Sequence, residues 1–302
     1  IRVLGSAAGG GFPQWNCNCP NCSGVRQGSI NAQMRTQSSI IVGNGSPDWA
    51  LINASPDVLT QIKQTPALQP ARQMRDSGIA AVVLMDAQVD HVTGLMMLRE
   101  RNSPLPIYAT QQVFDDLTTG LPLVKTLSHY CTVEQRLISP AQENFSIPEL
   151  TGIAFKPITL SSKAPPYSPH RHDPHPGDNI GLLMTDMTSG KKAFYAPGLG
   201  VIEPQVEQAM RQADVLLVDG TFWTDDEMIG MGLSSKRAID MGHLAQSGPG
   251  GMIEALASYS TKRRILIHIN NTNPILREDS PQALQLKALG IEIAFDGMHI
   301  EI

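Results

Sequence analysis

Directly after the apolar run from Ile79 to Leu84 come Met85-Asp86-Ala87-Gln88-Val89-Asp90-His91. Two carboxylates, an amide and an imidazole at this spacing have the layout of a metal-ligand turn at the end of a buried strand. Alternation out of a strand predicts that Asp86, Gln88 and Asp90 line one face while His91 turns into the next helix. Asp90 and His91 are strong ligands for a hard or borderline divalent ion. Gln88 is a weak ligand, better suited to contacting substrate, and Asp86 reads as a catalytic base or a group behind the ligands. Three further residues could converge there. Asp219 closes Val215-Leu216-Leu217-Val218, His268 closes Ile265-Leu266-Ile267, and His243 lies in the loop Met241-Gly242-His243-Leu244. Functional groups collect at the carboxyl ends of buried strands in α/β sheets. Asp90, His91, Asp219 and His268 are therefore read as metal ligands, and His243 as a catalytic base or substrate contact. The plainer reading of Asp90, a cap for a helix beginning near Val92, loses ground once four candidates recur around short apolar strands.

Cys17, Cys19 and Cys22 form a C-x-C-x-x-C knuckle in a loop rich in Gly, Pro and Asn. Thiolates suit zinc, which takes four ligands tetrahedrally, and a metal would fix a loop that cannot bury a core of its own. Free cysteines are more often single buried apolar residues, which is how Cys131 reads. The knuckle needs a fourth ligand from elsewhere, and His268, on a later strand, is the leading donor. Close-set thiols are poor disulfide partners and point to a reducing cytoplasm. Between Pro165 and Asp178 a proline-stiffened loop carries His170, Arg171, His172 and His175. It is either a solvated loop or a binding wall for a polycarboxylate or phenol, with Arg171 and His175 as the substrate contacts. Gly9-Gly10-Gly11 lacks the context of a phosphate-binding loop, and Thr224-Asp225-Asp226-Glu227 reads as a solvated loop or helix start.

Positioning these groups requires strands that end together. Short apolar strands are expected at 1–4, 39–42, 49–53, 79–85, 106–109, 153–160, 179–185, 192–195, 215–218, 265–269 and 291–294. Helices are expected at 92–99, 111–117, 204–212, 251–259 and 281–289. Two β-then-α halves with every polar motif at a strand end or in a loop predict a layered α/β architecture. The chain has 302 residues, 41% hydrophobic and 17% charged, with 26 glycines and 22 prolines. It is long enough to bury a sizeable core. A formal charge of -5 argues against a nucleic-acid partner. No apolar run approaches the roughly 20 residues of a membrane span, and the first residues read as a strand rather than a signal peptide.

Together these residues resemble the metallo-β-lactamase superfamily, and within it the ribonuclease Z and phosphodiesterase branch. The first metal motif there, His-x-His-x-Asp-His, meets Asp86, Gln88, Asp90 and His91 here. Its His-x5-Gly pattern meets His175 and Gly181, its Gly-His-Ser/Thr element meets Gly242-His243, and its closing strand-end His meets His268. The bridging aspartate would fall within Tyr195-Ala196-Pro197-Gly198, which holds no acid. The resemblance implies an αββα sandwich of two packed mixed sheets flanked by helices, a single domain over 1–302 with its zinc knuckle near 12–24. It also implies that one of two metal positions has lost its ligands. The other keeps Asp90, His91 and His268, with Asp219 to complete it. Phosphodiesterase relatives carry a second His three residues beyond the strand-end His, where this chain has Asn271. His268 is thus left open between the knuckle and the catalytic ion.

Longer strings are similar to one family within that superfamily, the B proteins of pyrroloquinoline quinone (PQQ) biosynthesis. They are 12–19, 35–39, 53–57, 164–179, 194–200, 218–221, 241–245 and 268–274. This resemblance covers essentially the whole chain. It implies a part in making a redox cofactor from a cross-linked Glu-Tyr unit cut from a precursor peptide. The leading activity is iron- and O2-dependent hydroxylation of the tyrosine ring, since imidazoles and carboxylates with open positions suit non-haem iron. The alternative is a carrier assisting transport of PQQ or its precursor to the periplasm; two-zinc hydrolysis ranks last. Fe2+, or Zn2+ as isolated, is expected at the centre, Zn2+ at the knuckle, and a small molecule derived from a Glu-Tyr peptide as substrate. The oligomeric state stays open, a homodimer included.

Overall fold

The computed structural model describes residues 1–302. Six strands form the first sheet: β1 (Arg2–Gly5), β2 (Ser39–Val42), β3 (Trp49–Ile52), β4 (Ile79–Val83), β5 (Leu105–Ala109) and β6 (Val133–Leu137), in that order across it. Six form the second: β7 (Ile153–Thr159), β8 (Ile180–Asp186), β9 (Lys192–Ala196), β10 (Val215–Asp219), β11 (Arg263–Ile267) and β12 (Ile291–Ile293). Each sheet opens with two antiparallel pairings and continues with three parallel ones. Parallel strands need crossovers, which is where the helices lie.

The apolar runs are continuous because both faces of the central strands are covered. On β10, Val215 and Leu217 enter one core while Leu216 and Val218 enter another. On β4 and its extension, Ala81, Val83 and Met85 face inward while Val82 and Leu84 face the helices of the first half. The inward set joins Phe155, Leu182 and Tyr195 of the second sheet in one core between the sheets. Two outer cores sit under the helices, so the expected αββα sandwich is what forms.

Most predicted elements fall within a residue or two of their observed bounds. The edge strand β6 was not foreseen, because Val133-Glu134-Gln135-Arg136-Leu137 buries almost nothing and carries no apolar alternation. The helix expected at 92–99 instead begins at Val89, with Gln88 at its N-cap, and tightens into a 3-10 turn over Thr93–Leu98. Asp90 and His91 therefore occupy the first helical turn, not the end of a strand. The knuckle is likewise only partly loop: Cys19 caps a helix over Pro20–Gln27 and Cys22 lies in its first turn.

The turn bearing Asp90 and His91 is docked by backbone. Ala54 N–H donates to His91 O at 2.7 Å, and Gly94 N–H donates to Ala54 O at 3.0 Å. Asn53, in the left-handed region at φ 60°, accepts Met85 N–H on its side-chain oxygen at 3.0 Å. A Cβ on Gly94 would sit 2.0 Å from Ser55 O, so Gly94→Ala must lift this turn. A loss of about 1–3 kcal/mol in urea unfolding is expected, together with weakened metal uptake. Unchanged stability would mean the turn is not seated this way.

Candidate metal centre

β4 and β11 deliver two imidazoles to one place. His91 Nδ1 lies 2.8 and 2.9 Å from the two oxygens of Asp86, so Nδ1–H donates to that carboxylate and Nε2 points away from it. His268 follows β11 in the left-handed region at φ 62°, an uncommon conformation for a residue with a side chain. Thr221 Oγ1 donates to His268 O at 2.9 Å and lies 3.0 Å from His268 Nδ1. With its proton committed to the carbonyl, the hydroxyl accepts from Nδ1–H, which again leaves Nε2 free. Both Nε2 atoms are buried without a hydrogen-bond partner. Asp90 Oδ2 stands 3.9 Å from His91 Nε2 and 3.5 Å from His268 Nε2. Ligands at right angles about 2.1 Å from an ion lie roughly 3 Å apart, so a small inward movement closes Asp90, His91 and His268 on a divalent cation.

Charge fits that role. Burial would raise the Asp90 carboxyl, yet His91 and His268 hold it well below the usual carboxylate range. Burial disfavours a charged His91, but Asp86 and Asp90 outweigh it and push the ring up to about 9. His268 moves the other way: burial lowers it against the pull of Asp90. A cation entering here displaces a proton and meets one carboxylate and two imidazoles. The hydrogen bond from His91 to Asp86 is the carboxylate–histidine pairing that orients metal-bound imidazoles.

Asp219 is spent elsewhere. Its Oδ1 accepts Thr221 N–H at 2.9 Å, and its Oδ2 accepts Leu199 N–H at 2.8 Å and His243 Nδ1–H at 2.6 Å. Burial opposes a charge on His243, and Asp219 raises it above the ordinary histidine range. The His243 ring stacks on His268, with centroids 5.3 Å apart. His243 and His268, with Asp90 and His91, border a cavity of about 380 Å³ whose wall also includes Gln88, Arg171, Lys163 and Lys236.

At the knuckle the three sulfurs lie within 4.8 Å of one another. The Asn271 carboxamide reaches all of them, its nitrogen 3.1, 3.6 and 3.4 Å from Cys17, Cys19 and Cys22. A half-turn of that amide presents oxygen at the same corner. Burial pushes the Cys22 thiol up to about 11, so a cation is what would hold it as thiolate. The donor set fits zinc.

Comparison with known proteins gives this geometry a family. The beta-lactamase superfamily domain matches residues 48–269. Coenzyme PQQ synthesis protein B of Methylobacillus flagellatus is 60% identical over 301 residues, 99% of each chain. Its namesake in Cupriavidus necator is 60% identical over 302 residues, covering 100% of this chain and 99% of that one. The chain belongs to the coenzyme PQQ synthesis protein B family. The crystal structure of Zn2+-bound PqqB from Methylobacterium extorquens superposes with a TM-score of 0.88 at 34% identity, covering 100% of this chain and 99% of that one.

For this member of the PQQ synthesis B family, the structure gathers Asp90, His91 and His268 as read from the sequence, and the cysteines likewise. Gln88, Arg171 and His243 line the adjoining cavity. The structure places two residues elsewhere than expected, Asp219 and His175, and narrows two readings left open, Asp86 and His268. Asp219 accepts from Thr221, Leu199 and His243 and does not gather with Asp90, His91 and His268. Asp86 is not a free base, since both oxygens face His91. His268 is not the fourth knuckle ligand; it turns to Asp90, and Asn271 occupies that corner. His175 is not a cavity residue, being half exposed beside His170 and Asp178. Thr221, Lys163 and Lys236 were missed. Thr221 stands two residues after Asp219 in a strand-end turn, which was a usable signal; the lysines carried none.

Asp86→Asn is expected to weaken binding at the centre about 10–100-fold, while Asp219→Asn leaves the number of bound ions unchanged. Competition titration with a chelating dye measures both. Loss of an ion with Asp219→Asn would restore Asp219 to the ligand set.

Proposed function

We propose that the chain acts in PQQ synthesis as an iron- and O2-dependent oxygenase on the phenol ring of a cross-linked Glu-Tyr precursor. The observation that carries this reading is the donor set. Two imidazoles and one carboxylate, with orphaned Nε2 atoms converging beside Asp90, match the ligation of non-haem iron oxygenases. A bound ferrous ion would supply electron exchange with dioxygen, leaving positions open for it and for substrate. The cationic wall suits a polycarboxylate. Arg171 is steadied by donating to the Ala164 carbonyl, and Lys163 and Lys236 face the same cavity. His243, held at Nδ1 by Asp219, leaves Nε2 to exchange a proton with the phenolic oxygen of a bound substrate. The balance is phenol plus O2 giving ortho-quinone plus water. One ring C–H becomes C–O, the O–O bond breaks, and the four electrons come from the substrate itself.

The test loads the protein with ferrous iron under anaerobic conditions, adds the tyrosine-type substrate and admits labelled dioxygen. Mass spectrometry is expected to find one labelled oxygen on the ring. Tight binding of quinone or precursor with no label, and indifference of binding to the metal, would replace the oxygenase with a carrier.

Two substitutions separate the roles. Arg171→Ala removes a charged contact worth roughly 1.5–3 kcal/mol and should raise KM about 10–100-fold with kcat little changed. His243→Gln should lower kcat roughly 100-fold or more with KM nearly unchanged. A reversed pattern would move His243 to binding and Arg171 away from it.

A further inference from the structure

Outside the cavity, the loop 165–178 builds a second constellation of the same kind. His170 Nε2 lies 2.8 Å from Asp178 Oδ1, and the Asp178 side chain is fully buried. The His175 ring stacks on His170 with centroids 4.8 Å apart, and His175 N–H donates to Asp178 Oδ2 at 2.7 Å. Ligand atoms of His170, His175 and Asp178 all lie within 4.8 Å of one another. None of the three borders the cavity, although Pro166 and Arg171 of the same loop do.

Behind His170 stands an independent observation. Asp116, its side chain 2% exposed, places Oδ1 3.8 Å from His170 Nδ1. That oxygen has no hydrogen-bond partner. The other neighbour of Nδ1 is Ser168 Oγ at 3.1 Å. A carboxylate behind Nδ1 with Nε2 directed at a second carboxylate repeats the relation of Asp86, His91 and Asp90. As a simple ion pair the group is poorly balanced. Two buried carboxyl groups, Asp116 and Asp178, face the one ring of His170, and the His175 ring stacks on that same ring. Buried charges left in such excess are costly.

We propose that His170, His175 and Asp178 form a binding site for a borderline divalent cation of the zinc class, with Asp116 orienting His170. Asp173, whose Oδ2 lies 3.4 Å from His175 Nε2, is placed to complete the shell. Two imidazoles and carboxylate oxygen are a zinc-type set. The ion staples both ends of the segment that carries Arg171 to the cavity, so loop order depends on it. It does not depend on which reaction the main centre performs.

Zinc added stepwise to the metal-stripped chain and counted by native mass spectrometry tests this. His175→Ala changes a half-exposed side chain and should bind one ion fewer than the wild type at saturation, as should His170→Ala. Amide exchange over 165–178 should slow on zinc addition in the wild type and not in His175→Ala. Equal ion counts in the wild type and His175→Ala, or zinc-induced protection of this loop that survives His175→Ala, would overturn the site.

Discussion

Two buried nitrogen atoms without partners set the terms for this molecule. Leaving a polar atom unsatisfied in the interior costs about 1–3 kcal/mol, and His91 Nε2 and His268 Nε2 are both so left, on rings whose centroids lie 5.4 Å apart. Nothing in the chain answers them except Asp90. The surroundings enforce the arrangement, because Asp86 takes one Nδ1–H and Thr221 the other. Neither ring can turn without breaking a buried hydrogen bond. A fold that spends carboxylate and hydroxyl groups to aim two ring nitrogens at one point is organised around something that point receives. The two packed sheets are the means, since only their shared end brings the exits of β4 and β11 into contact.

The same segment serves both candidate metal sites. Two residues separate His268, which faces Asp90, from Asn271, which faces the three sulfurs. Between them Ile269 N–H donates to Ser6 O, and Asn270 N–H donates to Thr221 O. Asn21, on the knuckle helix, donates to the carbonyls of Asn271 and Asn273, while Asn273 reaches back to Gly220 and Thr221. The left-handed turn at His268 is therefore held from its far side by the knuckle. Local strain of this kind persists where surrounding contacts over-determine it, and here those contacts come from a helix capped by a candidate zinc ligand. Order at the knuckle and the aim of His268 are two ends of one backbone.

Much of this was legible in the sequence, for a physical reason. Strands buried on both faces write themselves as unbroken apolar runs, and the residues just after such a run are forced to the sheet's end. His268 could be read that way, and Asp90 and His91 lie a short turn further on, in the helix that follows β4. The surroundings of Asp219 could not, and for Asp86 the sequence leaves open a base or a group behind the ligands. A carboxylate beside a metal and one behind its imidazole have the same residue type and neighbouring positions, and only side-chain direction separates them. Strand alternation also misled, because the chain leaves β4 at Val83 and re-forms as a helix at Val89, so residues 86, 88 and 90 border the cavity without alternating out of a strand. His175 failed differently: a loop with four prolines from Pro165 to Pro174 has no periodicity from which to infer direction.

The reassignment of Asp86 bears on chemistry. In the superfamily pattern the first two motif positions are histidines that would hold a metal of their own; here they are Asp86 and Gln88. The Asp86 carboxylate accepts from Gln88 N–H and from His91. The side chain that would have bound a second cation now raises the basicity of a ligand to the first. Paired ions clamp the attacking and leaving oxygens of a hydrolytic displacement, and a centre rebuilt in this way loses that clamp. What it would offer a single bound ion is a neighbouring cationic wall and a histidine held by Asp219. That combination suits a small anionic molecule bound beside a single ion far better than the cleavage of a phosphodiester between two.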